Sequence, residues 1–183
     1  MSISYEKAKE SDAIALSKFG KATFIEKFGH LYQKDDLNFF LSEEHSEQRY
    51  LSYFSEPETI VSVARNNGDA LIGYSVSGSL ELPVEGCSPN ALELKRLYVL
   101  ASYQSAGIGS RLMEIFMDWA IKNGNPNLYL GVFSGNIDAQ RFYDRFGFSK
   151  VGEYDFPVGS HLDREFIYER KSVGPDNILK SAT

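Results

Sequence analysis

The sequence predicts a single-domain α/β protein with a mixed central sheet flanked by helices. Three observations point there. A chain of 183 residues with 43% hydrophobic and 14% aromatic content suits one packed core and not a disordered chain. Short β-rich runs alternate with segments of helical apolar period. No repeat or low-complexity tract breaks their order, which reads strand, helices, hairpin, strand, helix, strand, helix, strand, strand.

"ISYEKAK" (3–9) alternates as a first strand, and "SDAIALSKFGKATFIEKFG" (11–29) predicts a helix capped by Ser11 or Asp12. Residues 30–57 read as a loop and one or two short helices ended by Pro57, with Glu43, Glu44 and Glu47 on a solvated face. "TIVSVARNN" (59–67) and "ALIGYSVSGSLEL" (70–82) flank a Gly68-Asp69 turn as a hairpin. After the turn-rich "PVEGCSPN", "ALELKRLYVL" (91–100) is a third strand. From Gly107 to Lys122 the period becomes helical, with Ile108, Leu112, Ile115, Phe116 and Trp119 on one core-facing stripe roughly 100° wide. "GNPN" (124–127) stops that helix, and "LYLGVF" (128–133) is a buried strand. "NIDAQRFYDRFGF" (136–148) is a helix stopped by Gly147, and strands follow near 148–156 and 162–170. The domain thus spans 1–170, with a tail at 171–183 that has little core-forming content.

Charge and cysteine content narrow the function. Nineteen Lys and Arg against twenty-five Asp and Glu give a net charge of −6, which argues against nucleic acid as the ligand. The balance is compatible with a cationic substrate, and equally with plain solubility. The single cysteine, Cys87, reads as a loop residue, with a catalytic thiol the lesser reading. His30, His45 and His161 lack metal-ligand spacing, so no metal is expected. No 18-residue apolar run and no signal-type apolar core occur, so no membrane partner and a cytoplasmic location are expected.

The most informative stretch is "YQSAGIGSRL" (103–112), a Gly-x-Gly between a strand and a helix. Unpaired amides and partial positive charge at a helix N-terminus suit a phosphate, and glycines let the backbone come close. A P-loop needs Gly-x-x-x-x-Gly-Lys-Ser/Thr, which is absent. A dinucleotide fingerprint needs a third glycine where Leu112 stands in the apolar stripe. A third scheme, Gln/Arg-x-x-Gly-x-Gly/Ala after a strand, is met at Gln104, Gly107 and Gly109.

That scheme is the pyrophosphate loop of the GNAT superfamily of acyl-CoA-dependent N-acetyltransferases, which the chain resembles over about residues 3–170. A second family signature, "NIDAQRFYDRFGF", follows in the right order. The resemblance implies the GNAT fold with a mostly antiparallel sheet, and acetyl-CoA as co-substrate. It implies that the loop residues Gln104, Ser105, Ala106, Gly107, Ile108, Gly109 and Ser110 hold the pyrophosphate. Leu97, Tyr98 and Val99 would bind the pantetheine arm through their backbone, with an amide near Val99 polarising the thioester carbonyl. Asn136, Ala139, Phe142 and Tyr143 would complete the cofactor side. Asn136 and Tyr143 lie only about 20° apart around a helix. Tyr143 would protonate the leaving thiolate, or else is a packing aromatic. Glu93 is the candidate base, or else a strand-edge charge. Lys95 and Arg96 face either the cofactor phosphates or solvent. His30 and Tyr32 are candidates for the acceptor pocket or for loop anchoring. "FGHLYQKDDL" and "VGEYDFPVG" resemble the spermidine/spermine acetyltransferase branch, which points to a polyamine-type small amine. A protein N-terminus, an amino acid or an aminoglycoside are other acceptors such a fold takes. An acetyl-CoA-binding sensor without turnover is the competitor of another class. Many relatives are homodimers; nothing in the sequence decides the oligomeric state.

Overall fold

The computed structural model describes residues 2–124 and 126–172, so most of the expected tail and Asn125 of the helix stop lie outside the described residues. Seven strands form one sheet: β1 (Ser4–Lys7), β2 (Ile60–Arg65), β3 (Leu71–Ser79), β4 (Leu92–Val99), β5 (Leu128–Phe133), β6 (Ser149–Val158) and β7 (His161–Arg170). Their spatial order is β1-β2-β3-β4-β5-β7-β6. All neighbours are antiparallel except β4 and β5. The helices are α1 (Ala13–Phe28), α2 (Lys34–Glu44), α3 (Glu47–Ser55), α4 (Ile108–Lys122) and α5 (Ile137–Arg145).

The two sheet faces carry different helices. Leu16 and Phe19 of α1 and Tyr50 and Tyr53 of α3 pack on Val61, Val63, Tyr74 and Val76. On the opposite face Met113, Phe116 and Ala120 of α4 meet Leu92, Leu94, Leu128 and Leu130, with Ala139, Phe142 and Tyr143 of α5 alongside. The α4 stripe is rotated from the one expected. Ile108, Leu112 and Phe116 are buried as read, but Met113 and Ala120 take the other core positions, and Ile115 and Trp119 are half-buried flanks. The sheet supplies the reason: α4 also crosses Ala64 and Ile72 of the β2–β3 hairpin, which turns it toward its 108–112 side.

Local chemistry sets the remaining boundaries. The expected cap of α1 is not formed. The Asp12 carboxylate accepts from the Lys9 amide at 2.8 Å and from Arg65 at 2.6 Å, and a 3₁₀ turn (Glu10–Asp12) leads in. Ser46 does cap α3, accepting from the Arg49 amide. β6 runs two residues beyond its expected end because Pro157 sits on an edge strand, where its missing N–H costs no ladder bond. The turn that follows needs Gly159, with φ +61 and an imagined Cβ 2.6 Å from the Asp36 Cα.

Two irregularities of β4 shape the functional region. First, β4 meets β5 only at Leu92 opposite Leu128 and Glu93 opposite Tyr129. From there β4 keeps β3 and β5 keeps β7, and a notch opens between them. Second, Val76 pairs with Arg96 while Ser77 pairs with Leu94, so Lys95 is a bulge. The extra residue breaks the alternation of faces and puts Arg96 on the same face as Glu93.

Candidate active site

A cleft of about 1160 Å³ follows the notch from the α4 N-terminus to the ends of α1 and α2. Its first end is made of backbone. Gly107 caps α4 in the left-handed region at φ +79, and Ser105 has φ +66. Among the described residues the amides of Ser105, Gly107, Ile108, Gly109 and Ser110 have no hydrogen-bond partner, while Arg111 closes the first helical turn onto the Gly107 carbonyl. Five free amides beside the positive end of a helix dipole fit a phosphate group. The open space beside Gly107 and the 3.7 Å gap from an imagined Gly109 Cβ to Phe142 leave room for close approach. Arg145 stacks over Phe142 with 5.6 Å to its ring centre, and Arg141 also lines the cleft.

Along the notch, Leu100 donates to the Ile72 carbonyl at 3.0 Å. In an antiparallel ladder alternate residues direct their polar groups to opposite sides. Tyr98 therefore shares the β3 side with Leu100, and the amides and carbonyls of Leu97 and Val99 turn to the notch. Tyr143 reaches the cleft from α5, and its hydroxyl makes no hydrogen bond among the described residues. Burial, then the Tyr98 and Glu165 side chains, push the phenol pKa up, so it stays a proton donor at any working pH. Asn136 lines the cleft as the N-cap of α5, its Oδ1 accepting from the Ala139 amide at 3.4 Å.

The other end is made of side chains. Tyr32 stacks against Phe24 and donates to Asp163, which also holds His161 at 3.2 Å. Phe28, Phe40, Tyr98, Phe133 and Phe156 add aromatic surface. Glu165 accepts from the Tyr154 hydroxyl at 2.6 Å. Burial, countered in part by that bond, pushes the Glu165 carboxyl up to about 7, and Asp163 and Glu93 add to the rise. Glu93 is buried, and its Oε2 accepts from the Glu81 and Leu82 amides at 2.8 and 3.2 Å. Burial raises the Glu93 pKa as well.

The cleft gathers Glu93, Leu97, Tyr98, Val99, Gln104, Ser105, Gly107, Ile108, Gly109, Ser110, Asn136, Ala139, Phe142, Tyr143 and Tyr32 from the sequence reading. Ala106 and His30 stand outside it. His30 is exposed on a 3₁₀ turn (Gly29–Leu31), and its neighbour Tyr32 points inward instead. Arg96 faces neither phosphates nor solvent. The bulge turns it inward, where it donates to Tyr53 at 3.0 Å, to the Glu44 carboxylate at 2.9 Å and to His45 Nε2 at 3.2 Å. Glu44 pairs with Arg96 yet keeps a side chain 41% exposed, and Glu43 and Glu47 are exposed, as expected of a solvated face. Lys95 pairs with Glu81. Because Arg96 donates to Nε2, His45 is the Nδ1–H tautomer and donates on to Tyr50 at 3.0 Å. Its burial, with Arg96 and Lys21 nearby, pushes its pKa down to about 2. Gly20 keeps α1 against this network, since a Cβ there would collide with Tyr50 and His45.

Sequence reading missed Glu165, Asp163, Tyr154, Arg141 and Arg145. "HLDREFIY" carries one usable signal: Asp163 and Glu165 alternate in register with Ile167, which is buried. Carboxylates on the inward face of a strand are unusual enough to single out. Cys87 is a half-buried loop residue beside Ala91, Tyr129 and Ile167, away from the cleft. Among the described residues no cluster of three or more His, Cys, Asp or Glu is placed to hold a metal. No described helix is long and apolar enough to cross a membrane.

The glycine loop at a helix N-terminus and the split sheet beside it fit an acyltransferase. The acetyltransferase (GNAT) family model matches residues 25–148, and the chain belongs to that family as an N-acetyltransferase. A Lactobacillus delbrueckii subsp. lactis protein, the uncharacterized N-acetyltransferase in the pepI 3' region, is 26% identical over 90% of this chain and 94% of its own. The spermine/spermidine N(1)-acetyltransferase of Bacillus subtilis is 27% identical over 67% of this chain and 88% of its own. The PaiA N-acetyltransferase of Thermoplasma acidophilum, solved in complex with coenzyme A, has the same fold, with TM-score 0.74 at 22% identity over 93% of this chain and 99% of that one.

Proposed function

We propose that the protein transfers acetyl directly from acetyl-CoA to a primary amine of a small cationic acceptor of the polyamine type. The carrying observation is the two-ended cleft: free amides at one end, and aromatic rings with Glu165, Asp163 and Glu93 at the other. Aromatic faces and carboxylates both attract an ammonium group. The relative from B. subtilis supports the polyamine class, and both stretches that suggested it contribute to this end, through Tyr32, Tyr154 and Phe156.

Acetyl-CoA as co-substrate supplies the activated thioester. The loop amides of Ser105, Gly107, Ile108, Gly109 and Ser110 hold its pyrophosphate, with Arg145 and Arg141 beside them. Leu97 and Val99 pair with the pantetheine arm across the notch, and the Val99 amide stabilises the negative charge that develops on the carbonyl oxygen. Tyr143 donates its proton to the sulfur as the C–S bond breaks. No covalent enzyme intermediate enters this scheme.

Coenzyme A release should be followed with spermidine, spermine, putrescine, free amino acids, an aminoglycoside and an N-terminal peptide, with mass spectrometry of the product. Spermidine or spermine giving the highest kcat/KM supports the reading. Preference for a peptide or an amino acid would move the acceptor class. Cofactor binding without release from any amine would establish a sensor instead.

A further inference from the structure

The cleft holds two buried carboxylates with different commitments. Glu93 spends an oxygen on the Glu81 and Leu82 amides, which fixes the segment after β3 to β4. It also has Lys95 close enough to lower its pKa. Glu165 accepts one hydrogen bond, from Tyr154 to Oε2, and its Oε1 has no partner among the described residues. That Oε2 lies over β5: a Cβ at Gly131 would stand 2.8 Å from it and 2.9 Å from the Tyr154 hydroxyl. Gly131 pairs with Ile167 of β7 but lies two residues beyond Tyr129, the last β5 residue paired with β4, where the notch begins. Its missing side chain leaves the space that the carboxylate occupies.

We propose that Glu165 takes the proton from the acceptor's ammonium, and that Tyr154 is a positioning residue that holds Glu165 over Gly131 at the notch. The proposal rests on the acetyl-transfer reading above. It assigns Glu93 to structure, and Glu165 and Tyr143 to proton transfer from opposite sides of the notch.

The balance is simple. The ammonium gives one proton to Glu165, the freed lone pair forms the C–N bond, and the C–S bond breaks. Tyr143 gives its proton to sulfur and regains one from the nitrogen, and Glu165 releases its proton to water. One proton is produced per amide formed. The groups facing Glu165 are Tyr154 from β6, Asp163 from β7, Glu93 and Tyr98 from β4, and Tyr143 from α5. Tyr32 and His161 are engaged with Asp163. None of these is a lysine or arginine, so the carboxyl keeps a pKa near 7, suited to accepting a proton at neutral pH.

The test uses the full chain with acetyl-CoA and the best acceptor of the amine panel. Wild-type kcat/KM should rise about tenfold per pH unit below about 7 and then flatten. A free primary amine itself ionises near 10.4, well above this limb. Glu165→Gln should remove the limb and lower kcat at pH 8 by roughly 10²–10⁴-fold, with acetyl-CoA affinity close to wild type and thermal unfolding at pH 8 no lower than wild type. Tyr154→Phe removes a bond that lowers the Glu165 pKa, so its limb should shift to higher pH and remain. A limb that survives in Glu165→Gln and disappears in Glu93→Gln would overturn the proposal while leaving acetyl transfer intact. No coenzyme A release by wild type with any amine would overturn the acetyl-transfer reading itself, and the proposal with it.

Discussion

At the glycine-loop end of the cleft, the unbonded polar atoms among the described residues are main-chain amides from one short run, Ser105 and Gly107 to Ser110. The acceptor end is lined by side chains brought from positions as far apart as Phe24, Tyr32, Glu93 and Glu165. On the proposed function the first end would recognise through a backbone path, which a short motif can specify. The second would recognise through tertiary packing, which no local motif contains. Mutations should therefore divide cleanly: side-chain changes at the acceptor end alter acceptor kinetics, and loop side-chain changes leave cofactor binding near wild type.

Tyr143 stands where the two ends meet, and changing it should have the largest effect. Tyr143→Phe keeps the ring packed beside Phe142 and Phe148 and removes only the donor. Turnover should fall by roughly 10²–10⁴-fold, the usual contribution of a positioned general acid. Acetyl-CoA affinity, measured by calorimetry, should stay within about threefold. Unchanged turnover would remove Tyr143 from the chemistry.

Next in size is Tyr32→Phe, a change confined to the acceptor end. The buried Asp163 carboxylate loses its hydroxyl donor and, among the described residues, keeps His161 alone. Leaving such a group underpaired costs about 1–3 kcal/mol, or roughly 5- to 150-fold. This should appear in acceptor kcat/KM with cofactor affinity unchanged. Equal losses for both ligands would mean that the two ends are not independent.

How much was legible follows the same division. The loop at Gly107 and Gly109 was legible because a strand-to-helix glycine turn has particular backbone freedom at fixed spacing, and Gln104 was named through the resemblance. Asn136 and Tyr143 were singled out by the resemblance, and helical periodicity added only that they share one side of a helix. Glu165 was not, because its role depends on Gly131 and Tyr154, which come together only when β5, β6 and β7 pair. Arg96 was misplaced because a bulge at Lys95 leaves no trace in the alternation of "ELKRLYVL". The α1 cap failed for a similar reason: Arg65, distant in sequence, claims the Asp12 carboxylate.

The buried Arg96–His45–Tyr50 network braces α1, α3 and β4 behind the acceptor end, and it gives the fold a sensitivity to acid. His45 has a folded pKa pushed down to about 2 against about 6.5 unfolded. Between those values the unfolded chain binds more protons, so stability is full above about pH 6.5 and falls as pH drops. His45 alone removes up to about 1.4 kcal/mol per unit in that window. Glu165 acts in the opposite sense. Its raised pKa gives the folded state the extra proton between about 4.5 and 7, so stability falls as pH rises through that range. His45→Gln, which cannot be protonated, should flatten the fall in unfolding midpoint between pH 6.5 and 5, and Glu165→Gln should steepen it. Identical profiles for wild type and His45→Gln would show that the imidazole is not held neutral.

The smallest expected effect isolates the backbone principle of the cofactor end. Ser105 is held at φ +66, where a non-glycine residue costs roughly 1–2 kcal/mol. Ser105→Gly removes that strain but gives the unfolded chain more freedom, a loss of about 0.5–1 kcal/mol. The net should be a stabilisation of about 1 kcal/mol or less, visible in the denaturant midpoint. The amide keeps its position, so acetyl-CoA affinity should stay within about twofold. A large loss of affinity in Ser105→Gly would show that the hydroxyl, and not the main-chain path, carries recognition. The contrast between a backbone end and a side-chain end would then fail at the loop where it is drawn most sharply.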